Sequence, residues 1–104
     1  MTAVTFFTAS GLLTGFSLTG HSTACESDTE GKIVCSAVSS AAYMAANTLT
    51  EIIGAKADIT VEEGSMTVRL TDRIGESQEV LKGFRLHMTE LAKQYQSRIN
   101  VSEV

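Results

Sequence analysis

The sequence predicts an α+β fold, a two-layer sandwich in which a mostly antiparallel sheet carries two helices on one face. Three observations predict it. Two stretches of β-branched, aromatic or alternating residues are each split by a turn signal. Two other stretches repeat apolar residues at helical spacing. The two kinds alternate along 104 residues that contain no proline, giving the order β-β-α-β-β-α(-β) in a single domain, 1–104.

Residues 2 to 8, "TAVTFFT", and 13 to 19, "LTGFSLT", flank a turn at Ser10 and Gly11 and read as a hairpin. Gly15 inside the second strand marks a weak point or a bulge. Residues 20 to 31 are a polar loop between two glycines. From about Lys32 to Ile53 the period becomes helical: Val34, Val38, Ala41, Ala45, Leu49 and Ile52 form a stripe. Thr29 or Gly31 caps its start and Gly54 its end. Its many small residues allow close approach to a sheet or a second helix.

Residues 57 to 71 form a second hairpin turning at Glu63 and Gly64. Ile59 and Val61 alternate with polar residues on one side. Met66, Val68 and Leu70 on the other give the clearest half-buried strand in the chain. A second helix runs from Gly75 to about Arg98 on a stripe of Val80, Leu81, Phe84, Met88, Leu91 and Tyr95. "INV" at 99–101 is a short final strand.

Composition narrows the function. The 43% apolar content fills one core. A formal net charge of -4, with scattered basic residues, argues against nucleic-acid binding. It would tolerate a basic polypeptide partner. Residues 1 to 19 lack the basic start of a secretion signal, and no apolar run is long enough to span a membrane. The expected location is the cytoplasm. The two cysteines and two histidines are too few for a structural metal, so neither metal nor cofactor is expected.

The loop holds His21 and Cys25, and Cys35 follows it early in the first helix. A helix N-terminus favours the thiolate, the reactive form of cysteine, and Lys32 would add to this. His21 on a loop flanked by Gly20 and Gly31 can fold back to the sulfur. Together they have the parts of a Cys–His dyad, with amides at the helix start to hold an oxyanion. The bland reading is a small core cysteine and a solvated histidine. A Cys25–Cys35 redox pair is a third reading, although a disulfide there would close only a short loop. His87 reads as a partly buried packing residue, and Arg69 and Arg73 as surface charge.

"GHS" at 20–22 followed by "GKIVCSAVS" at 31–39 resembles the "GHA … G-x-D-I-V-C-A-A-V-S" signature of the ribosomal-processing cysteine proteases (Prp). The resemblance extends over nearly the whole chain, including "ESQEVLKGF…YQSRINV". It implies an endopeptidase that removes a short N-terminal extension from a bacterial large-subunit ribosomal protein, the twenty-seventh in the usual naming, whose N-terminus reaches toward the peptidyl-transferase centre. It implies His21 as base, Cys35 as nucleophile, and Gly20, Ser22 and Ser39 against the substrate. It also implies an α+β homodimer with a mobile loop between base and nucleophile. Lys32 departs from the family pattern, standing where many members have aspartate. Glu26, Asp28 or Glu30 could take that acid's place, or be solvated loop charges. The alternative function is a non-catalytic module that binds the ribosomal protein.

Overall fold

A computed structural model of the chain describes residues 1–20 and 27–104. Its elements are β1 (Thr2–Ala9), β2 (Leu12–Thr19), α1 (Thr29–Asn47), β3 (Ala57–Glu62), β4 (Ser65–Leu70), α2 (Gln78–Gln94) and β5 (Ile99–Glu103). The five strands lie in the order β3-β4-β2-β1-β5. All neighbours are antiparallel except β1 and β5, which run parallel. The α+β expectation, including the final strand, holds.

The first hairpin closes through Ser10 and Gly11, both with positive φ, which matches the twist of the flanking strands. A bulge follows, where the register shifts between Phe7 and Thr8. Gly15 sits beside it. A Cβ there would run into the Val68 carbonyl oxygen of β4, so only glycine lets β2 and β4 approach this closely. Gln78 completes the irregular stretch. Its Oε1 accepts the Leu13 N–H at 2.9 Å and its Nε2 donates to the Leu13 carbonyl at 2.7 Å. A side chain on α2 thus does what a neighbouring strand would do.

The core lies between the sheet and the helices. Phe6 and Phe16 meet Phe84 of α2 with ring centroids 5.5 and 4.6 Å apart, in edge-on and tilted arrangements respectively. Val34, Val38 and Ala42 of α1, Leu49 just beyond its end, and Leu81 and Met88 of α2 fill the space around them.

Two details depart from the sequence reading. The α1 cap is Asp28, whose side chain accepts the Gly31 N–H at 3.0 Å, rather than Thr29 or Gly31. The helix also changes character at its far end. Thr48–Ile52 forms a π-helical turn, and the Ile53 N–H reaches back to the Thr48 carbonyl. The wider turn rotates the stripe, so Leu49 is fully buried while Ile52 is 80% exposed and Ile53 packs on the core instead. Gly54 ends the segment as expected, with Ala55 N–H bonded to the Leu49 carbonyl.

The second helix is shorter than its apolar period. A 3-10 turn at Gly75–Ser77 leads into it and it stops at Gln94. In the second hairpin, Met66, Val68 and Leu70 are buried as read. Their register partners Ile59 and Val61 are 42% and 52% exposed, because β3 is the outer strand. No helix among the described residues is long and apolar enough to cross a membrane.

Candidate active site

Cys35 lies on the flank of α1 that faces the β3–β4 hairpin. It opens onto a cleft of about 170 Å³, together with Val38, Ser39 and Tyr43 on the same helix face. The opposite wall is Val61, Glu62, Gly64, Ser65 and Met66, and the end of the sheet supplies Thr2, Leu18 and Gly20. Helical spacing explains the first wall: positions 35, 39 and 43 follow one another turn by turn. The second wall comes from the turn that joins β3 to β4. It is fastened in place because the Gly64 carbonyl accepts the Gly20 N–H at 3.0 Å.

Of the residues singled out in the sequence, Gly20, Cys35 and Ser39 are brought together in this cleft. His21, Ser22, Cys25 and Glu26 lie outside the described residues. Gly20 has φ 87°, and a Cβ there would meet the Met1 carbonyl oxygen. That position therefore takes glycine for both conformation and space. Ser39 makes no side-chain hydrogen bond among the described residues, so it does not close back onto the preceding turn.

The thiol is not at the start of the helix. With Asp28 as cap and Thr29 as the first helical residue, Cys35 is in the second turn. Its amide belongs to the internal hydrogen-bond ladder, and the helix-end field fades within the first turn. The amides at the start of α1 are thus not an oxyanion site around this sulfur. The Gly31 N–H is already held by Asp28, and the Lys32 N–H donates to the Asp28 carbonyl at 3.1 Å.

The acids of the loop's far end are engaged. Arg98 donates to both oxygens of Asp28, at 2.7 and 2.9 Å, and its Nε reaches Glu30 at 3.3 Å. The Asp28 side chain is only 10% exposed and that of Arg98 23%. The hydrogen bonds that Arg98 donates to Asp28, outweighing a smaller opposing effect of burial, raise its guanidinium above the ordinary pKa. Asp28 and Glu30 are therefore not freely solvated loop charges. Asp28 serves as helix cap and as anchor at once. Nothing in a linear reading signals that residue 98 sits beside residue 28. Val61 and Glu62 were missed for the same reason, since only the folded hairpin carries the second wall to the helix; Tyr43 had a signal, standing two helical turns beyond Cys35 on the same face.

His87 differs from the expectation of partial burial. It is exposed, on the rim of a second groove of about 700 Å³ between α1 and α2 that also includes Met44 and Phe84. Helix α2 turns Leu81, Phe84 and Met88 inward, and position 87 falls just off that stripe. Arg69 does more than carry surface charge: its guanidinium stacks over the Phe7 ring, 3.8 Å from the centroid.

A cysteine presented by a helix into an open cleft is placed where a thiol nucleophile can meet a bound chain, the arrangement that thiol-dependent hydrolases use. The sequence model of the cysteine protease Prp family matches residues 1–100, and the chain belongs to that family. It is accordingly a cysteine protease. Among solved structures it is similar to the ribosomal processing protease Prp of Staphylococcus aureus in complex with a covalently linked product peptide. That likeness has a TM-score of 0.87 at 20% identity and covers 100% of both chains. The same protease in complex with a substrate peptide gives 0.87 at 19% identity, again over 100% of both chains. SMU.848 of Streptococcus mutans gives 0.87 at 24% identity, over 100% of this chain and 94% of that one. No curated protein matches the chain.

Proposed function

We propose that this single domain is a ribosomal-processing endopeptidase. Its substrate is the N-terminal extension of a bacterial large-subunit ribosomal protein, the twenty-seventh. Cys35 is the nucleophile and His21 the base, and Gly20, Ser22 and Ser39 contact the peptide. The observation that carries this reading is the opening of Cys35 onto a cleft lined by Ser39 and by Gly20, the residue that precedes His21. Family membership and the likeness to a protease solved with its peptides support it. The enzyme acts in the cytoplasm as a homodimer.

The chemistry runs through a thioester. The Cys35 sulfur, its proton taken by His21, attacks the scissile carbonyl carbon. The C–N bond then breaks, and His21 returns the proton to the departing amine. Water, deprotonated by His21, attacks the thioester; the C–S bond breaks and the thiol is restored. No metal or cofactor takes part in these steps.

The test is to incubate the protein with the extended ribosomal-protein precursor and follow the new N-terminus by mass spectrometry. The wild type cuts at one site and Cys35→Ala does not. Equal cleavage by both, or by neither, overturns the proposal. Binding without any product from the wild type would favour the non-catalytic module.

A further inference from the structure

Among the described residues that line the cleft, Glu62 is the one that carries a charge. It ends β3 and is paired in register with Ser65 across the turn. That turn is tied to Gly20 through the Gly64 carbonyl, so the backbone under Glu62 is fixed relative to the rest of the cleft. The side chain is exposed and has neither an ion pair nor a hydrogen bond among the described residues.

Five other carboxylates among the described residues are engaged elsewhere. Asp28 and Glu30 hold Arg98, Glu103 holds Arg85, Glu90 holds Lys93, and Asp72 accepts the Lys56 amide. Glu63 follows Glu62 at the turn tip and adds charge of the same sign. Lys32 is exposed on α1 one turn before Cys35 and is not part of the cleft lining.

The rest of the wall is apolar or neutral: Leu18, Val38, Tyr43, Val61 and Met66. One acid at the edge of such a slot rewards a cation and penalises an anion, and low-dielectric walls strengthen both effects. We propose that Glu62 is a specificity-determining residue, selecting a lysine or arginine side chain of the peptide close to the scissile bond. This rests on the cleft being the protease site.

The experiment scans Lys, Gln and Glu through successive positions of the precursor peptide and measures kcat/KM. The wild type should favour Lys over Gln by about fivefold at one position or more, the upper end for an exposed contact between opposite charges. Glu62→Gln should flatten that preference to about twofold or less, and Glu62→Lys should reverse it toward Glu. Raising salt from about 0.1 M to about 1 M should erode the wild-type preference, because the screening length falls from ~10 to ~3 Å. A wild type indifferent to charge at every position, or a Lys preference that survives Glu62→Gln, overturns the proposal.

The same peptides, fluorescein-labelled, are also titrated into Cys35→Ala and Cys35→Ala/Glu62→Gln and followed by anisotropy. A Glu62-dependent charge preference in binding without turnover by the wild type would sink the protease reading and leave charge selection standing. No such preference in binding or in turnover would sink the selection itself.

Discussion

Arg98 grips Asp28 through two hydrogen bonds of 2.7 and 2.9 Å, while the same carboxylate caps α1 by accepting the Gly31 N–H. The residue also works through its backbone: the Arg98 carbonyl accepts the N–H of Thr2, which lines the cleft. One residue therefore ties the start of the cysteine-bearing helix to the floor of the cleft.

Asp28→Ala removes both cap and anchor. Loss of the cap alone costs about 1 kcal/mol, or a fall in Tm of about 4–8 °C for a domain of this size. Asp28→Ser keeps a capping oxygen and loses the anchor, so its Tm should lie between those of Asp28→Ala and the wild type. Calorimetry ranks the three. An Asp28→Ser protein no more stable than Asp28→Ala would show that the cap contributes little.

Gln78→Leu strands the Leu13 N–H and carbonyl in a buried place where no strand neighbour replaces the lost amide. Each orphaned group costs about 1–3 kcal/mol. Urea unfolding should show a lower midpoint with an unchanged slope. A midpoint equal to the wild type would mean that water or a shifted strand takes over.

Leu49→Ala should cost about 2–5 kcal/mol as a fully buried large-to-small change. Ile52→Ser, three residues on, should stay within about 0.5 kcal/mol because its side chain is in solvent. Equal losses at the two positions would argue for an α-helical continuation in place of the π turn.

Cys35→Ala should leave the Tm nearly unchanged, since the side chain is only partly buried and lines a cleft instead of filling the core. On the proposed mechanism it should lower peptide cleavage by at least about a thousandfold. Iodoacetamide labelling of the wild type, slowed by the precursor peptide, gives a readout that does not depend on turnover.

Most of the architecture could be read from the chain because it rests on local patterns. The alternation of Met66, Val68 and Leu70 and the helical spacing of Leu81, Phe84 and Met88 are each set by a single element against a single core. What escaped the reading depends on geometry that has no local mark. Ile52 followed the helical period, yet one wide turn sent it to solvent. Ile59 and Val61 alternated like a half-buried strand, but their burial depends on which strand ends up at the edge. At the site, Cys35, Gly20 and Ser39 were legible as a motif. Glu62 and the Asp28–Arg98 pair were not, because residues far apart in sequence meet only after β3 and β4 turn beside α1 and the chain returns to β5; Tyr43 was within reach of the helical spacing that links it to Cys35 and Ser39. The helix-start role given to Cys35 failed for a simpler reason: the cap came from Asp28, two turns ahead of the sulfur.

The parallel pairing of β1 with β5 sets an order of events. During synthesis, β1 leaves the ribosome early and keeps one edge unsatisfied until β5 follows it. Arg98, which immediately precedes β5, arrives just as late, so the start of α1 is not anchored before then. A chain stalled short of residue 98 would carry the thiol and most of the cleft on an unlocked scaffold. Closing that sheet edge and anchoring the helix that carries the thiol therefore depend on one short stretch of chain, Arg98 and the strand that follows it.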